Sequence, residues 1–548
     1  MRGGGSTLFG SGAIGGVVAV ETKDAADLLQ PGQTTGARLR LGFSDNGQIV
    51  SPSATVYGDY GAFDALMFFG GRYAGTDQDD GDGNPIARSN IDSFNGLLKF
   101  GYEPTDDQRF EFSLSYYEDD GFTPPNANTE ATFSPFDGND SERGSEILTY
   151  RLSWDWNPAN SDLLDLSILV YGNTLEITDD RVRDGRADIT EYDTIGIEVV
   201  NRARFDVGVP VDLVYGFEAF QDEQTGTRNG AARTQFPDAT ATTYGVFAEA
   251  TFGVSDRLDI IAGLRFDSYD RDVDDPTLAD ADDTFFSPRL GFSYRPNDNV
   301  QIFGNIARAF RAPTLTELYN DGVHFPYTPT LTNNFVPTSD LEPEESTQIE
   351  LGTRFERVNA FRPGDSLRLS ANLYYADVKN FIDTVVTPPD FSLAGPPTFS
   401  TVIGTTFQRN IDAELYGFEA VLDYDAGLWF GGLGISLPEG SAKNGEELGS
   451  IPQPRLTATL GYRPAADWTV GVRATFAADQ SNVPDGALPG DSYTVVDLFG
   501  SWAPSRGAAE GAVFRVGIDN LFDEQYTIFP NELPQPGRTI KVSATYTF

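Results

Sequence analysis

The sequence predicts an all-β protein, a 22-stranded antiparallel transmembrane β-barrel. Three observations lead there: a period-two alternation of apolar and polar residues, two alternating kinds of connection, and a chain of 548 residues. The alternation recurs from about residue 36 to the C-terminus in stretches of about ten residues.

Leu258, Ile260, Ala262, Leu264 and Phe266 share one face opposite Asp259, Gly263, Arg265 and Asp267, with Ile261 the exception. Leu367, Leu369, Ala371, Leu373 and Tyr375 oppose Arg368, Ser370 and Asn372. Trp468, Val470, Val472, Ala474 and Phe476 oppose Thr469, Gly471, Arg473 and Thr475. The last stretch is cleanest, with Ile540, Val542, Ala544, Tyr546 and Phe548 against Thr539, Lys541, Ser543, Thr545 and Thr547. Successive strand side chains point to opposite faces, so each stretch carries one apolar and one polar side. A soluble sandwich alternates too, but with strands of about five or six residues. Strands of about nine to eleven are bilayer length.

Short connections share an aromatic, a Pro and then Asp or Asn. Examples are Tyr102-Glu103-Pro104-Thr105-Asp106, Trp156-Asn157-Pro158-Ala159-Asn160, Tyr294-Arg295-Pro296-Asn297-Asp298, and Tyr462-Arg463-Pro464 followed by Asp467. Pro and Asp/Asn set tight turns, and the preceding aromatic falls where an interfacial girdle belongs. Long connections are acidic and rich in Gly and Pro, as at residues 77–84, 121–145, 267–283 and 388–401. Short turns on one side and long loops on the other mark an outer-membrane barrel. Twenty-two strands of about ten residues, about ten turns of five and about eleven loops of twenty need roughly 490 residues. That fills most of the chain, and barrels of this size carry a plugged lumen.

Composition narrows the function. The 82 acidic against 38 basic residues give a net charge of −44, which excludes electrostatic binding of nucleic acid. Runs of apolar residues and Gly, such as residues 13–20, are too short for a membrane helix. With no Cys there is no disulfide, zinc–thiolate site or thiol nucleophile. The single His lies in no catalytic pattern with Ser or Asp, so the chain does not read as an enzyme. Asp77-Gln78-Asp79-Asp80-Gly81-Asp82-Gly83-Asn84 resembles part of a calcium loop. It lacks the bidentate Glu at the twelfth position, which favours a solvated loop and no metal site. Met1-Arg2 leads directly into Gly3-Gly4-Gly5-Ser6, without the apolar stretch of an export signal, so the chain is expected to be a fragment of a longer one.

Two segments resemble a known family. Residues Gly5-Ser6-Thr7-Leu8-Phe9-Gly10-Ser11-Gly12-Ala13-Ile14-Gly15-Gly16-Val17-Val18-Ala19-Val20-Glu21-Thr22-Lys23 resemble the end of the plug domain of TonB-dependent outer-membrane receptors. Asp519-Asn520-Leu521-Phe522-Asp523-Glu524-Gln525-Tyr526, Pro536-Gly537-Arg538 and the strand ending in Phe548 resemble the last strands of the same family. The resemblance implies that residues 1–28 end a truncated plug and residues 29–548 form the barrel. It also implies a Gram-negative outer membrane, a TonB partner, and a terminal aromatic read by the barrel-insertion machinery.

A third segment is similar to haem and haemoglobin receptors of that family: Phe310-Arg311-Ala312-Pro313, then Thr314-Leu315-Thr316-Glu317-Leu318-Tyr319-Asn320-Asp321-Gly322-Val323-His324-Phe325. Downstream, where those receptors carry an Asn-Pro-x-Leu box, this chain reads Thr338-Ser339-Asp340-Leu341-Glu342-Pro343-Glu344. It keeps Leu341, Pro343 and Glu344 and loses the Asn-Pro. The resemblance implies haem, free or on a carrier protein, as transported ligand, with no resident prosthetic group. A neutral imidazole is a good axial donor to haem iron, which makes His324 the expected ligand. Tyr319, Phe325 and Tyr327 are candidate cargo contacts beside it. Arg311 is the candidate for a propionate, although pairing with a lumen carboxylate is the stronger expectation. The family's second axial histidine sits on the plug, outside this chain. Residues 320–338, broken by Gly and Pro, are expected to be an open loop on the long-loop side. A ferric siderophore or another scarce nutrient is the alternative cargo, and a passive porin the alternative class.

Overall fold

The computed structural model describes residues 5–124, 140–328, 331–387, 404–484 and 487–548. Among them, 22 antiparallel strands pair each with the next. The first, Thr35–Ser44, closes on the last, Thr539–Thr547, with Arg38 opposite Thr547 and Ser44 opposite Lys541. Closure removes the open sheet edge that a bilayer could not satisfy.

The two faces are inverted relative to a soluble protein. Leu264 is 50% exposed, Leu373 55% and Val542 47%, and all three belong to the apolar stripes read from the sequence. The opposite face of the strand Leu258–Val273 buries Arg265, Asp267, Tyr269 and Arg271. Apolar residues outward and buried polar residues inward suit a wall between lipid and a polar lumen.

Strand length departs from the expected ten residues. Phe63–Arg72 has 10, but Ser366–Thr387 and Gly404–Asp425 have 22 each. About ten tilted residues, at about 3.3 Å each, cover the apolar band of about 25 Å. The ladder then continues beyond it. In Ala187–Asp206 the outward row changes from Ile195 and Ile197 to Asp193 and Glu191 without any break in pairing. Acidic residues in such extensions read as loop, and this corrects the connection expected at residues 267–283. Only residues 274–280 separate the strands there, and Asp267 is fully buried on the lumen face. The 77–84 segment also closes on itself, as a small hairpin of Gln78–Asp79 and Pro85–Ile86. In its turn the Asp80 carboxylate accepts from the Asp82 and Asn84 amides. Residues 125–139 and 388–401 of the other long connections lie outside the described residues.

The aromatic–Pro–Asp/Asn turns are tight, and three place Pro at a register shift. Shifts fall between Tyr102 and Thr105, Tyr294 and Asn297, and Tyr462 and Ala465. Pro104, Pro296 and Pro464 each sit inside one, where the ladder needs no amide donor. Beside these turns the aromatics form a belt. Phe63 stacks on Tyr102 at 4.6 Å, Phe110 on Trp154 at 6.0 Å, Trp429 lies 4.3 Å from Tyr462, and Trp468 stacks on Trp502 at 5.7 Å.

Residues 5–34 form no part of the wall and dock on its inner face. The short helix Ser6–Phe9 buries Ser6 and Thr7. Thr7 Oγ1 donates to the Ser287 carbonyl at 3.0 Å. Ser6 Oγ accepts from the Phe310 amide at 3.2 Å, and the Gly12 amide donates to the Phe310 carbonyl at 3.0 Å. Gly10 has φ 68°, and a Cβ there would meet Arg265 Nη2 at 2.7 Å, so the segment needs glycine where it passes the wall. Further along, Ala25 and Leu28 pack on Tyr57 and Leu66, and Asp24 pairs with Lys99.

Candidate functional site at the long-loop mouth

The wall strand Val300–Arg311 ends at the long-loop side with Phe310 fully buried and stacked on Phe285 at 4.5 Å. Arg311 next to it bridges two carboxylates: Nε donates to Glu344 at 2.7 Å, while Nη1 and Nη2 donate to Glu317 at 2.8 and 3.0 Å. Arg311 is thus an organising residue, as the stronger expectation held. Glu344 also accepts from the Ile382 amide at 2.9 Å.

Glu317 has a second task. It completes a capping box with Thr314 at the start of the helix Leu315–Tyr319. Each side chain accepts from an otherwise orphaned backbone amide of the first turn, so even so short a helix is held. Leu315, Leu318 and Tyr319 pack with Leu341 against Ala239, Ala241 and Ile382. Ala239 and Ala241 belong to the lumen-facing row of the strand Ala239–Ser255, so the segment folds inward across the mouth. Tyr319 is fully buried, and its hydroxyl donates to the Arg271 carbonyl at 2.9 Å. It anchors the helix, which corrects its expected place among the cargo-contacting side chains.

The open loop expected at 320–338 is instead a hairpin of Gly322–Thr328 and Leu331–Phe335. Its second strand pairs in parallel with the start of the long wall strand, Asn333 opposite Gly404 and Phe335 opposite Thr406. Without sustained alternation the sequence carries no strand signal here, and this pairing to a wall strand supplies what local pattern lacks. The first strand also leans on a neighbouring loop, where Gln235 Nε2 donates to the Val323 carbonyl at 3.0 Å and the Asp321 amide to the Thr234 carbonyl at 3.2 Å.

His324 sits at a register shift between Val323 and Phe325. A bulge frees one residue from the ladder and re-aims its side chain. The imidazole stacks on Phe335 at 4.2 Å and meets the edge of Phe325 at 4.7 Å, and the residue stays exposed. Its Nδ1 lies 3.0 Å from Thr406 Oγ1.

The partners of Thr406 fix the direction of that bond. Asn333 Nδ2 donates to the Thr387 carbonyl at 3.0 Å, which turns Asn333 Oδ1 towards Thr406. Thr406 Oγ1 donates to that oxygen at 2.6 Å, so its hydroxyl proton is committed and it can only accept from His324. Nδ1 therefore carries the proton, and the lone pair is on Nε2, which has no hydrogen-bond partner among the described residues. Desolvation of the ring lowers the His324 pKa from its ordinary 6.5, which keeps the imidazole neutral. A neutral, exposed imidazole with its other nitrogen hydrogen-bonded to the protein is the form that ligates a transition metal.

Of the expected residues, His324 and Phe325 come together at this position, Arg311 and Tyr319 hold the short helix that precedes the hairpin, and the Tyr327 side chain lies outside the described residues. Sequence reasoning missed Phe335, Asn333 and Thr406. Thr406 is 82 positions from His324, and no local spacing could have signalled it.

A closed barrel of this size, with a segment of chain docked in its lumen and a loop folded into one mouth, defines a large outer-membrane receptor rather than an open pore. Residues 58–521 match the family described as TonB dependent receptor-like, beta-barrel, and the chain belongs to that family. It is 30% identical to a hemin receptor of Yersinia pestis over 561 aligned residues, covering 100% of this chain and 78% of that protein. Among solved structures it resembles a double mutant of the Serratia marcescens hemophore receptor HasR in complex with its hemophore HasA and heme, with TM-score 0.80 and 21% identity. That match covers 100% of this chain and 85% of the other. The copper transporter OprC matches equally well, with TM-score 0.81, 21% identity and coverage of 100% and 87%. The fold is thus shared by proteins named for different cargo.

Proposed function

We propose that this chain is a TonB-dependent receptor of a Gram-negative outer membrane that binds haem at its outer mouth and imports it. His324 Nε2 is the axial donor to the iron, and Phe325 and Phe335 form the apolar surroundings of the porphyrin. One observation carries this reading: the Thr387–Asn333–Thr406–His324 chain of hydrogen bonds, which fixes the imidazole proton on Nδ1 and leaves Nε2 without a partner among the described residues. Its similarity to a hemin receptor at 30% identity over the full chain supports the same cargo.

Residues 1–28 are the end of the plug, and TonB acting through that domain supplies the energy that a polar lumen alone cannot. The alternative cargo, a ferric siderophore, presents no open coordination position and gains nothing from a free imidazole. The test is haem titration of the detergent-solubilised protein, read by the Soret band. Wild type should give the spectrum of an imidazole-ligated iron, and His324→Ala should lose that shift. An unchanged spectrum in the variant would remove His324 from the reaction.

A further inference from the structure

The lumen face at the outer mouth carries a second concentration of chemistry that the haem reading leaves unused. The barrel register places Arg143 opposite Asp179, Asp179 opposite Asp188, and Asp188 opposite Arg228, in one row across four neighbouring strands. Both acids are saturated by bidentate pairs. Arg143 Nε and Nη2 reach Asp179 at 2.8 and 3.0 Å, and Arg228 Nε and Nη2 reach Asp188 at 2.8 and 2.9 Å.

Two further guanidiniums converge on the same place from the adjoining loops. Arg186 Nη2 lies 3.1 Å from Asp188 Oδ2, and Arg233 Nε stands 3.7 Å from it, beyond hydrogen-bonding reach. Among the described residues, four cations thus face two carboxylates in a chain whose net charge is −44. The adjacent Arg181–Asp184 pair is balanced and leaves the surplus unchanged.

A structural ion-pair network would be expected to come out even, since an unpaired buried charge is costly. This one does not, and the Nε atoms of Arg186 and Arg233 are buried without an acceptor. Desolvation, together with the neighbouring guanidiniums, lowers the pKa of both arginines. The side chains of Arg143, Arg186 and Arg228 nonetheless remain 39, 28 and 30% exposed, so an anion entering the mouth can reach them.

The cluster adjoins the His324 hairpin through one loop. Arg233 donates its amide to the Gly226 carbonyl and Nη1 to Thr190 Oγ1. The next two residues, Thr234 and Gln235, hold Asp321 and Val323 of the hairpin.

We propose that Arg143, Arg186, Arg228 and Arg233 form a carboxylate-binding subsite that receives the anionic edge of the cargo while its metal faces His324, an inference that rests on the haem reading above. Haem presents two propionates at one edge, and the surplus of two positive charges matches them. Guanidinium forks suit that recognition because they bind planar carboxylates by paired donors. The subsite orients the porphyrin, and its low-dielectric wall strengthens the attraction.

The experiment compares three ligands on the solubilised protein: iron protoporphyrin IX, iron-free protoporphyrin IX, and the dimethyl ester of the iron porphyrin. Arg186→Gln and Arg143→Gln are the variants. Arg204→Gln, in an exposed pair with Asp212 at the short-turn rim, is the control. Loss of one charged hydrogen bond should weaken both free-acid porphyrins about tenfold and leave the ester unchanged. Wild-type affinity of both variants for the iron-free acid would overturn the subsite, as would a loss for the ester equal to that for the acid. Failure of the haem reading shows elsewhere, in iron-porphyrin binding that His324→Ala does not alter, and it leaves the iron-free comparison intact.

Discussion

Thr406→Val is the sharpest perturbation of the candidate site, because it keeps the shape of the side chain and removes one hydroxyl that serves two bonds. In the native protein Thr406 Oγ1 gives its proton to Asn333 Oδ1 at 2.6 Å and accepts from His324 Nδ1 at 3.0 Å. Thr406 is 1% exposed and Asn333 fully buried, so water does not replace the lost donor at Asn333. Each bond is worth about 1 kcal/mol net to the order of the ligand-free site, about 2 kcal/mol together, and where binding has to restore that order the loss is a factor of about thirty in affinity. That falls within the roughly ten- to hundredfold loss usual when the partner of a metal-ligating histidine is removed. The assay is haem titration by Soret absorbance of wild type, Thr406→Val and His324→Ala. Thr406→Val should bind with the wild-type spectrum but about thirtyfold more weakly, and His324→Ala should lose the ligated spectrum. Wild-type affinity in Thr406→Val would refute the argument that this hydroxyl sets the tautomer and aim of the ring.

Other expectations follow from the same geometry. Haem affinity should be flat above about pH 6.5 and fall at lower pH, with its midpoint below 6.5, because the His324 pKa is lowered and protonation consumes the Nε2 lone pair; a midpoint above 6.5 in the titration would contradict the lowering of that pKa by partial desolvation. Arg311→Met leaves the nearly buried Glu344 without its cation and should destabilise the mouth segment by about 3 kcal/mol, seen as faster proteolysis within residues 312–343 while the barrel resists. Leu373→Arg puts a charge on the lipid-facing stripe and should cost about 2–4 kcal/mol if the residue lies near the bilayer midplane, read as reduced folding yield into lipid vesicles.

The wall was legible in the sequence because a strand between lipid and a polar lumen must alternate, and Leu369, Leu373, Val470 and Val542 announce that face one by one. The strand count was legible too, since length and turn spacing leave little freedom. The ends of the strands were not: Asp267 and Asp193 look like loop residues until the ladder that carries them is seen. At the site, residue type pointed to two positions where the structure gathers polar partners, His324 beside Thr406 and Arg311 between Glu317 and Glu344. Tyr319 misled because an aromatic beside a histidine suggests contact, whereas the helix that carries it turns it into the wall. Thr406 and the arginine row were invisible for a common reason. Both are products of register across strands far apart in the chain, and side-chain partnership across a sheet has no signature in linear spacing.

The docking of residues 5–12 on the lumen face has a mechanical meaning. Its ties are small and polar: Ser6 and Gly12 to Phe310, Thr7 to Ser287, Ser11 to the Ala312 amide, and the Leu8 carbonyl to Arg265. Each such bond is worth only about 1 kcal/mol, because water entering behind the segment can take it over. Tension on this stretch would therefore break the ties in succession, like stitches drawn from a seam, and leave the surrounding cylinder intact. Phe310 and Ala312, where several of those stitches end, flank Arg311, so a pull at one end of the chain arrives beside the brace that holds the mouth segment in place.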